Sequence, residues 1–302
     1  MAKISNGFSL IELLMALTIT LGIGTIMFQL FQQNERIFRD QNLVIEMQQT
    51  ARVAASQIAD EIRTAGQGVP IHASTFDTAI AEGMAVILAA STGNRIDFRA
   101  GLSNLETNVT TPAPLDFTLG VARAVTVGQG SLFSTALGTT NPSGKFVYLL
   151  GPGDGSSWAW VWAELTQINA NTLTLIPREA GDAGRSEDVI RFTGAPTLTL
   201  EEAVSFTLSA NTVRRATASN MINQISPSWS AANEIGRNIT SLTFTYFDKN
   251  NNPVIPASLA ARISIARIDI SIIATTSSSL SNGKRPTYAL AMRTIPRNAR
   301  LR

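Results

Sequence analysis

The sequence predicts an α+β chain in which one long N-terminal helix, a membrane span continued by an amphipathic half, packs on a mainly antiparallel β-sheet domain. Three observations carry that expectation. No formal charge occurs from Leu13 to Asn34. Apolar residues then recur at helical spacing as far as Ala65, where Gly66, Gly68 and Pro70 intervene. Beyond Pro70 the text breaks into short alternating runs punctuated by Gly, Asn, Pro and Ser, the pattern of strands joined by turns.

The apolar run is long enough to cross a hydrocarbon layer of about 30 Å as a helix. Lys3 precedes it and the mixed set Glu35, Arg36, Arg39, Asp40 follows, so the positive-inside bias places the N-terminus in the cytoplasm and the bulk of the chain outside. A secretory signal would end in a small-residue cleavage site, and "LTITLGIGT" offers none of that form. Glu12 is the anomaly. A carboxylate at mid-bilayer costs about 2.5 to 3.5 kcal/mol, and packed among apolar helices it is tolerable only when paired or neutralised. Gly22 and Gly24 each weaken the span by roughly 1 kcal/mol relative to Ala. They mark either a segment able to loosen or a close-packing strip of small residues.

After the span, Ile37, Val44, Ala51, Ile58 and Ala65 recur every seven residues, and Met47, Ala54, Ala55 and Ile62 widen the stripe. One face is therefore apolar and the other charged. Gly66, Gly68 and Pro70 are the residues expected beyond a helix C-terminus. A single helix from Phe8 to Ala65 would extend about 87 Å.

The start of the chain supplies a family resemblance. "MAKISNG" followed by "FSLIELL" resembles the leader and first mature residues of type IV prepilins, with a Gly, an aromatic, a Glu and a span at set spacing. The resemblance implies a leader of residues 1–7, cleavage by prepilin peptidase between Gly7 and Phe8, and N-methylation of Phe8. Residues 8–66 would be the retained transmembrane and assembly helix, and 70–302 an extracytoplasmic β-rich domain. Glu12 would then set register during assembly by meeting a Phe8 amine. A neighbour's amine is the family's expectation, while Phe8 and Glu12, at i and i+4 and ~6 Å apart along the axis, also permit the chain's own.

Strand candidates in the remainder include "GMAVILAA", "NRIDFRA", "KFVYLLG", "WAWVWAELTQI", "AVSFTLSANTVRRA" and "ITSLTFTYFD". Ile263, Ile265, Ile268, Ile270 and Ile272 read as one long alternating strand with a bulge near Ala266. The succession "ITSLTFTYFDKNNNPV", that strand, "TTSSSLSNGKRP" and "TYALAMRTIPRNARLR" resembles the C-terminal half of PilW-type minor pilins, with GspJ-type pseudopilins as near relatives. What the resemblance implies is a structural subunit that helps initiate, prime or cap type IV pilus assembly. Its partners would be prepilin peptidase, other major and minor pilins and the inner-membrane assembly platform. It would cross the inner membrane once and then reside in the pilus, periplasm or cell surface. The alternatives are a minor pseudopilin of a type II secretion system and a membrane-anchored extracellular binding protein or adhesin.

Composition narrows the chemistry. The chain has no cysteine and one histidine, His72, so thiolate metal sites and disulfides are excluded and a multi-histidine site cannot be built. No catalytic residue, metal ligand or cofactor is expected. "GPGDG", Gly151 to Gly155, lacks the Lys-Ser/Thr of a phosphate loop and reads as a turn. Asp248, Asn250 and Asn252 have the first spacings of a calcium loop, but Pro253 and Leu259 stand where Gly and Glu belong, and a hairpin turn explains them better. Trp158, Trp160 and Trp162 fall on one face of a strand, as core or as an exposed binding strip. The net charge of +2 conceals a basic C-terminal end. There Arg262, Arg267, Lys284, Arg285, Arg293, Arg297, Arg300 and Arg302 oppose only Asp269. A solvated strand face accounts for them more simply than contact with nucleic acid or an acidic neighbour.

Overall fold

The computed structural model describes residues 10–69, 82–154, 158–182 and 189–296. Gly7, Phe8, His72, Gly155, Arg297 and Arg300 lie outside the described residues. One helix, α1 (Leu10–Arg63), runs for 54 residues without interruption. It continues through Gly22 and Gly24, where an added Cβ would meet nothing within 4 Å. At about 1.5 Å per residue it extends ~81 Å. Beyond Arg63 the chain turns sharply: Gly66 and Gly68 take φ of 82° and 78°, and the Gly66 amide donates to Arg99 O at 2.8 Å. A side chain at Gly68 would be both strained and obstructed, because its Cβ would come within 2.4 Å of Thr199 Cγ2.

The rest is mostly antiparallel sheet, so the architecture is α+β. In chain order the strands are β1 (Arg95–Arg99), β2 (Glu106–Asn108), β3 (Leu115–Thr118), β4 (Arg123–Thr126), β5 (Phe146–Pro152), β6 (Trp158–Asn169), β7 (Thr172–Asp182), β8 (Val189–Phe192) and β9 (Thr197–Leu200). They continue as β10 (Ala203–Ser209), β11 (Thr212–Asn220), β12 (Ser228–Trp229), β13 (Asn233–Gly236), β14 (Ile239–Phe247), β15 (Pro253–Val254), β16 (Arg267–Thr275) and β17 (Thr287–Thr294). A sheet ordered β15-β14-β16-β17 lies beside one ordered β1-β10-β11-β12, to which β13 adds on β11. The C-terminal half of α1 packs against β16, β17 and β13.

That packing follows from the stripe read in the sequence. Met47, Ala51, Ala54, Ala55, Ile58, Ala59 and Ile62 are buried, and they meet Phe98, Phe206, Phe244, Ile268, Ile270 and Ile272 in one core. Alanines on the inner face let the helix axis approach the strands closely. The Cβ of Ala54 lies where a Cβ on Gly236 would stand only 3.0 Å away. Polar bonds fix the seat: Arg215 Nε donates to Glu61 at 2.7 and 2.8 Å, and Thr294 Oγ1 donates to Ala59 O at 3.2 Å.

Strands β1 and β10 pair directly, Arg95 opposite Thr207 and Arg99 opposite Ala203. The whole stretch between them is therefore an excursion that leaves the helix-bearing sheets and returns. It forms a six-stranded sheet, β2-β9-β5-β6-β7-β4, with the pair β3-β8. Alternation along β6 divides that sheet's two faces. Ala159, Val161, Ala163 and Leu165 turn into the excursion's own core, with Phe117, Phe133 and Phe192. Trp160 and Trp162 turn the other way, toward Phe146, Tyr148, Met84 and Ala203, where they weld the excursion to the helix-bearing part. The Trp162 indole stacks on Phe146 with centroids 4.1 Å apart.

Two strand expectations are corrected. Ile263 and Ile265 are not part of a long strand, because Leu259–Ser264 is a short helix whose N-cap, Ser258, accepts from the Ala261 amide at 3.2 Å. The strand proper begins at Arg267. In "GMAVILAA" a 3-10 turn occupies Glu82–Met84, and Ile87 forms only an isolated bridge with Phe98.

Candidate functional site

The feature that no packing explains is the N-terminal half of α1. It is long and apolar enough to cross a membrane, with a mean hydropathy of 2.0 in its most apolar window, none of which is buried within the chain. Leu10, Ile11, Met27, Phe28 and Phe31 are each more than half exposed. Its threonine hydroxyls are turned inward on the helix itself. Thr18 donates to Met15 O at 2.9 Å, Thr20 to Ala16 O at 2.7 Å, and Thr25 to Leu21 O at 2.8 Å. Hydroxyls bonded in this way present carbon to the surroundings, as an apolar environment requires.

Glu12 stands in the first turn of α1, exposed on that bare surface. The expected cleavage and methylation positions, Gly7 and Phe8, lie outside the described residues.

Where the bare half gives way to the packed half, the loop between β16 and β17 reaches across to the helix. The Ser281 amide donates to both carboxylate oxygens of Asp40 at 3.0 Å, and the Ser281 hydroxyl donates to Asp40 Oδ2. These bonds, led by the Ser281 hydroxyl and aided by nearby Arg39, outweigh desolvation and hold the Asp40 carboxyl below its ordinary range. A groove lies beside this pin, with Gln29, Gln32, Gln33 and Arg36 of the helix on one wall and Ser281 and Asn282 on the other.

A second polar constellation sits at the neck of the excursion, and nothing in the local sequence announced it. Arg99 and Glu201, 1% and 0% exposed in their side chains, pair at 2.5 Å. Arg99 Nη1 also donates to Glu82 O at 2.9 Å, and Nη2 to Gln224 Oε1 at 2.9 Å. Trp162 Nε1 donates to Glu201 Oε2 at 2.6 Å, and the Tyr148 hydroxyl donates to Gly83 O at 2.7 Å. Burial opposes charge on Arg99, but Tyr148, Glu201 and Glu179 outweigh it and raise the guanidinium above its usual value. Burial likewise raises the Tyr148 hydroxyl. The donors of Arg99, Trp162 and Tyr148 named above each meet a protein acceptor, as a structural joint requires, while Trp160 Nε1 close by is buried with no hydrogen-bond partner among the described residues.

The other sequence candidates resolve into structure. Asp248 Oδ1 accepts from the Asn250 and Asn252 amides, both at 2.8 Å, and Oδ2 accepts from Asn252 Nδ2 at 3.0 Å. These bonds depress the Asp248 carboxyl, with Asn252 the main cause, and they shape the hairpin between β14 and β15. Among the described residues no group of His, Cys, Asp and Glu has the arrangement of a metal site. In "GPGDG", Gly151 and Pro152 end β5 and Gly153 bridges to Phe192. The three tryptophans separate: Trp160 and Trp162 are core at 1% and 3% exposure, while Trp158, at the strand's start, is 51% exposed. The C-terminal bases also separate. Arg262 is buried and pairs with Glu82 at 2.5 Å, contrary to a wholly solvated basic face. Arg267 lies 3.8 Å over the Phe247 ring, and Arg267 and Arg293 flank Asp269 at 3.1 and 3.4 Å. Lys284 and Arg285 remain exposed.

No known family model matches the chain, and no curated protein matches it.

Proposed function

We propose that the chain is a minor pilin, a structural subunit that helps initiate, prime or cap type IV pilus assembly. The observation that carries this reading is the division of one unbroken helix into two halves of opposite character. The half after Val44 is seated on the β-domain through small residues, as a permanent part of the fold. From Leu10 to Phe28 the helix presents apolar surface with one acid, Glu12. Such a half first anchors the subunit in the inner membrane, with the β-domain outside the cytoplasm, and then packs among like helices in a filament. Prepilin peptidase removes residues 1–7, leaving a methylated Phe8 amine as a cation that Glu12 can meet in an apolar setting. The β-domain, held together at its joint by the buried Arg99–Glu201 pair, serves as a surface toward other pilins.

The reading is tested in cells by replacing Glu12 with Ala. Insertion and removal of residues 1–7 should proceed as in the parent, while incorporation into pili should fall at least about tenfold, the effect of losing ~1.4 kcal/mol at each addition. Normal piliation from Glu12→Ala as the sole copy would contradict it.

A further inference from the structure

We propose that the loop between β16 and β17, pinned to α1 by Asp40, forms with the helix a basic collar that docks on anionic phosphate headgroups of the membrane leaflet from which α1 emerges. This rests on α1 being a membrane span. With Leu10 to Phe31 filling a hydrocarbon layer of about 30 Å, Asp40 stands ~14 Å further along the axis. The loop does not stop at Asp40. Ser281 and Asn282 share a groove with Gln29, Gln32 and Gln33, which brings the loop tip back to the end of the apolar run. That level is the headgroup layer, several ångströms thick outside the hydrocarbon.

Basic side chains flank this level: Arg36 stands ~8 Å and Arg39 ~12 Å beyond Phe31 along α1, Lys284 and Arg285 follow Ser281 and Asn282 on the loop, and all four are exposed. The acids among them are Glu35 and Asp40, and Asp40 is already engaged by Ser281 and lies 4.0 Å from Arg39. The turn carrying Lys284 is rigidly built: Leu280 N donates to Lys284 O at 2.9 Å, Gly283 N to Leu280 O at 2.9 Å, and Lys284 N to Asn282 Oδ1 at 3.0 Å. Basic side chains held at a headgroup layer are attracted by anionic lipid and reach it with flexible stems. Lys284 and Arg285 are far from the span in sequence, so they do not enter the charge bias that orients insertion and come to the surface only on folding.

The chain has no cysteine, so Ser279→Cys in the exposed loop gives a single labelling position in the full-length protein. The labelled chain is reconstituted in vesicles of phosphatidylcholine, with or without phosphatidylglycerol, and quenching by a headgroup spin label is read. Quenching should rise about twofold or more with phosphatidylglycerol, and fall back at high salt and in K284Q/R285Q. Equal quenching in both vesicle types, or an unchanged rise in the double variant, would overturn the proposal. Inorganic phosphate added to phosphatidylcholine vesicles should leave the label unaffected; a salt-matched response to phosphate alone would instead make this a free-anion site and also overturn it. A second label, at Ile23→Cys, separates the two readings. Shielding of that position from an aqueous quencher upholds the span whatever the loop does, and its exposure would defeat the span itself.

Discussion

Glu201 is an acid that the fold has buried, whereas Glu12 is an acid set on a bare apolar surface, and the two are accommodated differently. Glu201 has its cation and an indole donor within the same chain, at 2.5 Å from Arg99 and 2.6 Å from Trp162. Removing one member of a buried pair strands the other, so Glu201→Ala should cost about 3 to 5 kcal/mol. Urea unfolding of the full chain in detergent measures this, and a loss below ~1 kcal/mol would show that Arg99 finds other acceptors. The sequence did not disclose this pair. "NRIDFRA" places Arg95, Asp97 and Arg99 at alternate positions of a strand, and the acid that meets Arg99 comes only 102 residues later. Glu12, by contrast, stood out from the text alone, because an acid in an uncharged run violates the local pattern without any tertiary knowledge.

At the scale of elements, α1 was the most legible part. Its apolar recurrence and its Gly66 and Gly68 terminus placed its end within two residues of Arg63, since helix periodicity is a local property. Its seat depends on small side chains: Ala51, Ala54 and Ala59 are fully buried against the strands. Ala54→Leu should therefore overpack the contact with Gly236 and destabilise the chain by about 1 to 3 kcal/mol, as read by the same urea midpoint. The loop pinned at Asp40 makes a pH-dependent prediction. The Asp40 carboxyl is depressed when folded, so its contribution is present above the ordinary carboxylate pKa of about 3.9 and is lost as pH falls through the lower folded value. The hydrogen-exchange protection factor of the Ser281 amide should accordingly hold at neutral and mildly acidic pH, collapse only under strong acid, and be small at every pH in Asp40→Ala. Protection that survives in the variant would mean the loop is held elsewhere. The short helix Leu259–Ser264, capped by Ser258, escaped the sequence reading because Ile263 and Ile265 continue the alternation of β16.

On the scale of the whole molecule, the strands were largely readable and their partnership was not. Runs such as "KFVYLLG" and "ITSLTFTYFD" fell where β5 and β14 lie, because alternation is local. That β1 pairs with β10 across the entire excursion, and that β6 is buried on both faces, depends on contacts distant in sequence. The tryptophans show the consequence. Their shared face was evident from spacing, but that the end of the strand would leave Trp158 exposed while the joint enclosed Trp160 and Trp162 required the second layer. The resulting molecule is a β-domain of two joined parts holding half a helix, with the other half offered outward.

The account turns on that outward half being a processed assembly helix. Intact mass and N-terminal sequencing of the chain recovered from membranes test it most directly. The prediction is a mature chain beginning at Phe8, its amine carrying one added methyl group. A chain that retains residues 1–7, or one cut after the apolar run so that α1 loses its exposed half, would contradict it.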